Sequence, residues 1–294
     1  MMPGSKHLIG TALLLTALMG CAGQYLPDSR DTEFTQREVD LGHFFPDIAP
    51  TDACFVLLDM GNRSITRHNA LRARTQFLPG STFKIPNALI ALETGVAPDA
   101  DFELPWDPAL RPATGFWARS WSREHTLRSA LQHSVYWYYQ EIARRIGAGA
   151  MQRYLDQFAY GNRSMAGGLD RFWLHGGLRI SADEQVQFLR RLYFEELGVS
   201  PDSTDILKDI LVLENAGDYR ISGKTGTVNV GPDRELAWLV GYLEYGERRY
   251  FFALNVEGEV VWERWGGPGQ RLQLVRSILG QLLALPLAQT GVKP

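Results

Sequence analysis

The chain has 294 residues, 45% of them hydrophobic and 11% aromatic, with a formal net charge of -3. That composition excludes general disorder and supplies no global basic face for nucleic acid, whereas a small anionic substrate needs only a local positive site. Two cysteines and six scattered histidines show no metal-ligand spacing, so no metal is expected.

Lys6 is followed by the apolar run Leu8–Met19, too short for a spanning helix and typical of a signal-peptide core. Leu18-Met19-Gly20-Cys21 resembles a bacterial lipobox, in which the cysteine is lipidated; ordinary cleavage after Ala22 is the competing reading. Residues 1–21 are therefore expected to be a signal peptide of lipoprotein type, with the mature protein periplasmic and, if lipidated at Cys21, tethered to the outer membrane by that lipid alone. Residues 22–50 read as a polar lead-in.

Residues 53–59 read as a strand in which Cys54, left without a disulfide partner, is a buried small hydrophobe. Gly61-Asn62 is a turn, and 63–68 returns as a second strand. Pro79-Gly80 precedes Ser81, from which Ile85, Leu89 and Leu92 outline a helix ending near Gly95, with Pro86 tolerable only in its first turns. Residues 97–120, rich in Pro, Trp, Asp and Arg, form a long excursion. Tyr139, Ile142, Ala143 and Ile146 mark a helix, and Ser181-Ala182-Asp183-Glu184 has capping-box spacing ahead of Val186, Leu189, Leu192 and Tyr193. Residues 219–229, 236–245 and 249–256 are β-rich runs joined by tight turns, and Leu272, Val275, Ile278, Leu279 and Leu282 mark a closing helix.

This order predicts an α+β protein with an antiparallel sheet, because the late connections are too short for parallel crossovers. Residues 51–294 form one catalytic domain, an α/β lobe at 51–96 and 212–294 into which a helical lobe at 97–211 is inserted, the two meeting at a cleft.

Two short motifs carry chemistry. In Ser81-Thr82-Phe83-Lys84 the spacing puts a serine and a lysine on one helix face, with Ser81 at the positive end of the helix. A serine needs a base, and a lysine can be one only if burial lowers its pKa; Phe83 and Ile85 favour that. Lys224-Thr225-Gly226-Thr227 lies on a late strand and offers a cation and a hydroxyl to a carboxylate, with Gly226 allowing a ligand close approach. Each motif alone is weak, but an S-x-x-K followed by a distant K-T-G is the pairing of penicillin-binding proteins and serine β-lactamases.

With Phe77-Leu78-Pro79-Gly80-Ser81-Thr82-Phe83-Lys84-Ile85-Pro86-Asn87, Tyr160-Gly161-Asn162, Phe172-Trp173-Leu174-x-Gly176, Lys224-Thr225-Gly226 and Trp238-x-Val240-Gly241 in order, the chain resembles the class D (oxacillinase-type) serine β-lactamases. The resemblance implies that Ser81 attacks the lactam carbonyl to give an acyl-enzyme. Lys84 would be N-carboxylated by CO2 and serve as base, and Trp173 would hold the carbamate. No other cofactor is implied. Ser134 and Lys224 would pass a proton to the lactam nitrogen. The amides of Ser81 and Thr227 would bind the oxyanion, and Thr225, Gly226, Thr227 and Arg271 would hold a small-molecule β-lactam. Monomer and homodimer both remain open.

Gly80 stands where the family usually has alanine, and the S-x-V motif reads Ser134-Val135-Tyr136. Tyr136 either fits by a small shift or disturbs lysine carboxylation and slows deacylation. His125, His133 and His175 are expected to be structural or solvated, Asn162 an architectural hydrogen-bonder, and Trp137, Tyr138 and Tyr139 helix packing. The alternatives are a penicillin-binding sensor, a D,D-peptidase that acylates but turns over slowly, and a non-catalytic binding domain.

Overall fold

The computed structural model describes Met1 and residues 34–111, 115–259, 261, 264 and 267–287. The expected signal segment, with Cys21, lies outside the described residues. In chain order the strands are β1 (Thr35–Glu38), β2 (Ala53–Asp59), β3 (Ser64–His68), β4 (Glu103–Leu104), β5 (His125–Thr126), β6 (Val212–Asn215), β7 (Tyr219–Gly231), β8 (Arg234–Tyr245) and β9 (Arg248–Gly258). The helices are α1 (Ala70–Arg74), α2 (Lys84–Glu93), α3 (Ala118–Trp121), α4 (Leu127–Gln132), α5 (Tyr136–Ile146), α6 (Ala148–Gln157), α7 (Ala182–Tyr193), α8 (Pro201–Ile210) and α9 (Pro268–Leu283).

A seven-stranded sheet runs in the order β1-β3-β2-β9-β8-β7-β6, and β4 pairs with β5 apart from it. Two-residue turns fold β7, β8 and β9 into an antiparallel meander. The expectation of a wholly antiparallel sheet needs one correction: β1 pairs parallel with β3. All of β2 lies between them in the chain, so that connection is long enough for a parallel crossover.

Both sheet faces are covered. Cys54, Val56, Leu58, Leu236, Trp238 and Val240 face one core shared with α2, α5 and α7. Phe55, Leu57, Leu239, Leu243 and Phe252 face a second core closed by Val275, Ile278 and Leu279 of α9. Period-two alternation on the strands and i, i+3, i+4 spacing on α9 produce this division. Cys54 is fully buried and its thiol is pushed up to about 12, chiefly by desolvation.

The lobe boundary is finer than the expected cut at 211. Helix α7 lies on the sheet, its Asp183 paired with Arg67 Nε of β3 at 2.8 Å and its Tyr193 ring 5.7 Å from that of Phe251 on β9. Its apolar stripe needs a partner, and the sheet face supplies one. The capping box at Ser181 forms: Ser181 Oγ accepts from Glu184 N, and Glu184 accepts from Ser181 N. Helix α8 went unread although Ser200-Pro201 is a start signal; Ser200 Oγ accepts from Ser203 N and proline takes the first turn.

Candidate active site

Ser81 was expected in the first turn of an α-helix. It sits instead in a 3₁₀ turn, Gly80–Phe83, that runs directly into α2 at Lys84. The difference favours the pair, because a 3₁₀ turn has three residues per turn and eclipses positions i and i+3. Lys84 Nζ is 2.7 Å from Ser81 Oγ. Pro86 falls within the first turn of α2, where its missing N–H costs nothing.

Lys84 is 1% exposed. Its Nζ lies 5.6 Å from the centroid of the Tyr139 ring, and Phe83 stacks on Trp173 with centroids 5.1 Å apart. No carboxylate compensates, and burial alone brings the amine down to about 7. The indole Nε1 of Trp173 is buried with no hydrogen-bond partner among the described residues. A buried donor left unpaired costs on the order of 1–3 kcal/mol, so the pocket holds an unused donor together with a near-neutral amine. Tyr139, read from sequence as packing, thus also forms part of the lysine's apolar enclosure.

The Trp173 segment is tied to the nucleophile turn. Gly80 N donates to Trp173 O at 3.1 Å, Phe77 and Ile180 exchange backbone bonds, and Trp238 Nε1 donates to Leu78 O at 2.9 Å. Asn162 is architectural: its Oδ1 accepts from Arg179 N and Ser164 N, and its Nδ2 donates to Gly177 O.

Ser134 occupies the tight link between α4 and α5 with φ 55°, a left-handed conformation unusual for serine. Its Oγ accepts from Lys224 Nζ at 3.1 Å, and the same nitrogen reaches Thr225 O at 3.1 Å. Desolvation, then the like charges of Lys84 and Arg271, hold Lys224 well below the usual lysine range.

Gly226 is needed for packing as well. A Cβ there would stand 2.8 Å from Pro79 O and 3.2 Å from Thr82 N. The close approach it permits is that of the strand to the nucleophile turn, rather than to a ligand alone, although Gly226 also lines the cavity. Gly80 has φ 54°, and a Cβ there would stand 2.6 Å from Val228 Cγ2, which accounts for glycine at this position.

Arg271, in the first turn of α9, is 3% exposed. Its Nη1 donates to Gly226 O at 2.7 Å and Trp238 O at 3.1 Å, and its Nη2 to Thr227 Oγ1 at 3.0 Å. Burial lowers its pKa to about 10, still cationic at neutral pH.

Ser81, Ser134, Thr225, Gly226, Thr227 and Arg271 line one cavity of about 560 Å³. Lys84, Trp173 and Lys224 are buried behind it. Sequence reasoning missed the mouth. Trp117 and Trp121 stack at 5.4 Å, and Tyr136 lies parallel to Trp121 at 6.2 Å, so three aromatic rings line one side. Trp121 is pinned twice: its Nε1 donates to His133 O, and its carbonyl accepts from Trp137 Nε1. The i, i+4 spacing of Trp117, in the Trp-rich excursion, and Trp121, just past it, was the available signal. His133 and His175, set aside as structural or solvated, also line the cavity, whereas both ring nitrogens of His125 are engaged, with Ser129 Oγ and Ser120 O.

A serine paired with a buried lysine, faced by a second serine–lysine pair and an arginine-backed strand, defines the active-site serine enzymes of the penicillin-recognising fold. The penicillin-binding protein transpeptidase domain family matches residues 53–279. Beta-lactamase OXA-10 of Pseudomonas aeruginosa is 43% identical over 205 residues, covering 69% of this chain and 75% of its own. The class D β-lactamase YbXI from Nostoc superposes with a TM-score of 0.75 at 35% identity, covering 84% of this chain and 99% of that one. The C-terminal domain of the Bacillus licheniformis BlaR penicillin receptor gives 0.75 at 29% identity, covering 88% and 98%. The chain belongs to the class D serine β-lactamases within the transpeptidase-domain family.

Proposed function

We propose that the protein hydrolyses the amide bond of penicillin-type β-lactams through an acyl-enzyme on Ser81. The observation that carries this reading is the Lys84 amine, dry and near neutral, 2.7 Å from the Ser81 hydroxyl. Ser81 Oγ gives up its proton at the Lys84 position and attacks the lactam carbonyl carbon. The amides of Ser81 and Thr227 hold the developing oxyanion, where one donor typically contributes about 3 kcal/mol. As the C–N bond breaks, Ser134 passes a proton to the lactam nitrogen and recovers one through Lys224. Thr225 and Arg271 hold the ring carboxylate. Water then cleaves the ester.

CO2 fits this pocket: the near-neutral amine of Lys84 can take it up, and the unpaired Trp173 N–H is a donor suited to the resulting anion. As a carbamate on Lys84 it would supply an anionic oxygen base for both steps. Export with lipidation at Cys21 belongs to the same proposal, resting on the Leu8–Met19 run and Leu18-Met19-Gly20-Cys21; labelled palmitate should appear in the mature protein and vanish in Cys21→Ser.

Purified protein mixed with a penicillin should show continuous hydrolysis, with the Ser81 adduct forming and decaying by time-resolved mass spectrometry. The likeness to the BlaR receptor domain favours one competing outcome. A stoichiometric adduct that persists would replace the hydrolase reading by that of a penicillin sensor.

A further inference from the structure

The cavity lining contains one acidic side chain among the described residues, Glu235, and no step above uses it. Glu235 is the second residue of β8 and lies opposite Asn229 of β7, as Ala237 lies opposite Thr227. Directly paired residues share a sheet face. That places Glu235 and Asn229 on the face where Thr227 Oγ1 accepts from Arg271.

Glu235 Oε2 is shielded from solvent and has no hydrogen-bond partner among the described residues. The adjacent Arg271 directs its Nη1 to two backbone carbonyls and its Nη2 to the Thr227 hydroxyl. A sheltered carboxylate oxygen without a donor is costly in any fold. Partial burial pushes the Glu235 carboxyl up, while the Arg271 guanidinium pulls it down. The pocket thus presents an unmatched acceptor beside the cation assigned to the substrate carboxylate.

We propose that Glu235 is a specificity-determining residue that selects β-lactams carrying a cationic substituent on the carboxylate-bearing ring. This rests on the proposed function and on the ring carboxylate facing Thr225 and Arg271. A purely anionic substrate brings its charge to Arg271 and meets repulsion from Glu235. A zwitterionic substrate brings a positive group to the side of the cavity lined by the Glu235 carboxylate, turning the same charge into attraction.

Cephaloridine and cephalothin provide the test. They share an acyl side chain and differ at the ring substituent, pyridiniomethyl against acetoxymethyl. The readout is the second-order rate of Ser81 acylation by quenched-flow mass spectrometry, which needs no turnover. The wild type should favour cephaloridine by about tenfold, the size of a partly screened charge pair. Glu235→Gln should bring the ratio near one, mainly by slowing cephaloridine. A ratio near one in the wild type, or one unchanged in Glu235→Gln, overturns the proposal. So does equal slowing of both compounds, which would mean that Glu235 only positions Arg271. Acylation without hydrolysis would bring down the β-lactamase reading and leave this ratio to be judged separately.

Discussion

The floor of the cavity and its mouth are built by opposite means. On the floor, Lys84 is hydrogen-bonded to Ser81 and Lys224 to Ser134, and both lysines are buried. At the mouth, stacked rings of Trp117, Trp121 and Tyr136 face a sheet edge carrying Asn229 and Glu235, and most of these side chains remain partly exposed. Dryness tunes a lysine only where water is excluded on every side. A recognition surface must stay open to admit ligands of varied shape. The difference predicts that floor substitutions act on the chemical steps and mouth substitutions on affinity.

The largest effect belongs to the floor. Lys84→Ala should lower kcat by about 10²–10⁴-fold, the usual contribution of a positioned base. Steady-state penicillin hydrolysis checks it, and turnover within a few-fold of wild type would end the comparison. Trp173→Phe keeps an aromatic ring beside Phe83 and deletes the unpaired N–H together with part of the indole. Losing a hydrogen bond to a charged group costs about 1.5–3 kcal/mol, or about 10–150-fold. The acyl-enzyme should accumulate in mass spectra, and the bicarbonate concentration giving half-maximal rate should rise. An unchanged bicarbonate response would remove Trp173 from its assigned role.

The pH profile sharpens the same contrast. Burial depresses Lys84 to about 7, so the neutral amine predominates above that pH and is lost as pH falls through it. At a fixed, sub-saturating concentration of dissolved CO2, kcat/KM should fall by about tenfold per unit below the inflection and level off above it. A profile flat between pH 5.5 and 8 would contradict a lysine base. At the mouth, Tyr136→Val removes the ring that stacks on Trp121. It should change KM by a few-fold, the scale of about 0.5–1.5 kcal/mol for an aromatic contact. It should leave the bicarbonate response as it was; a raised bicarbonate requirement would mean that Tyr136 acts on the lysine after all.

Legibility in the sequence followed the same line. The floor could be read because Ser81 and Lys84 are fixed by local spacing, and Lys224-Thr225-Gly226 lies on a strand with strong β pattern. The meander of β7, β8 and β9 was equally plain, since tight turns and alternation are local signals. Strand β1 was not legible: it is exposed along its length, so no apolar alternation marks it, and it pairs with a strand reached only through β2. The mouth was hidden for a related reason. Trp121 reaches Tyr136 through the packing of the end of α3 against the start of α5, a contact between residues 15 apart that no motif encodes. Glu235 lies just before the expected run 236–245 and drew no reading; the register puts it opposite Asn229.

A last effect, read in stability and not in rate, tests how tightly the floor is packed. Gly80→Ala puts a Cβ on a residue at φ 54°, which costs about 1–2 kcal/mol in a left-handed conformation. The new methyl would also press on Val228 Cγ2, 2.6 Å away. Two separable penalties follow, one in the backbone and one in packing. For a domain of this size about 1 kcal/mol lowers Tm by roughly 2–4 °C, so thermal unfolding resolves both. Val228→Ala in the Gly80→Ala background should recover the packing part and leave the backbone part, giving a measurable coupling between the two sites. Strictly additive losses would mean that the turn bearing Ser81 can shift away from β7, and then the nucleophile's position is less firmly imposed by the strand than the contact implies.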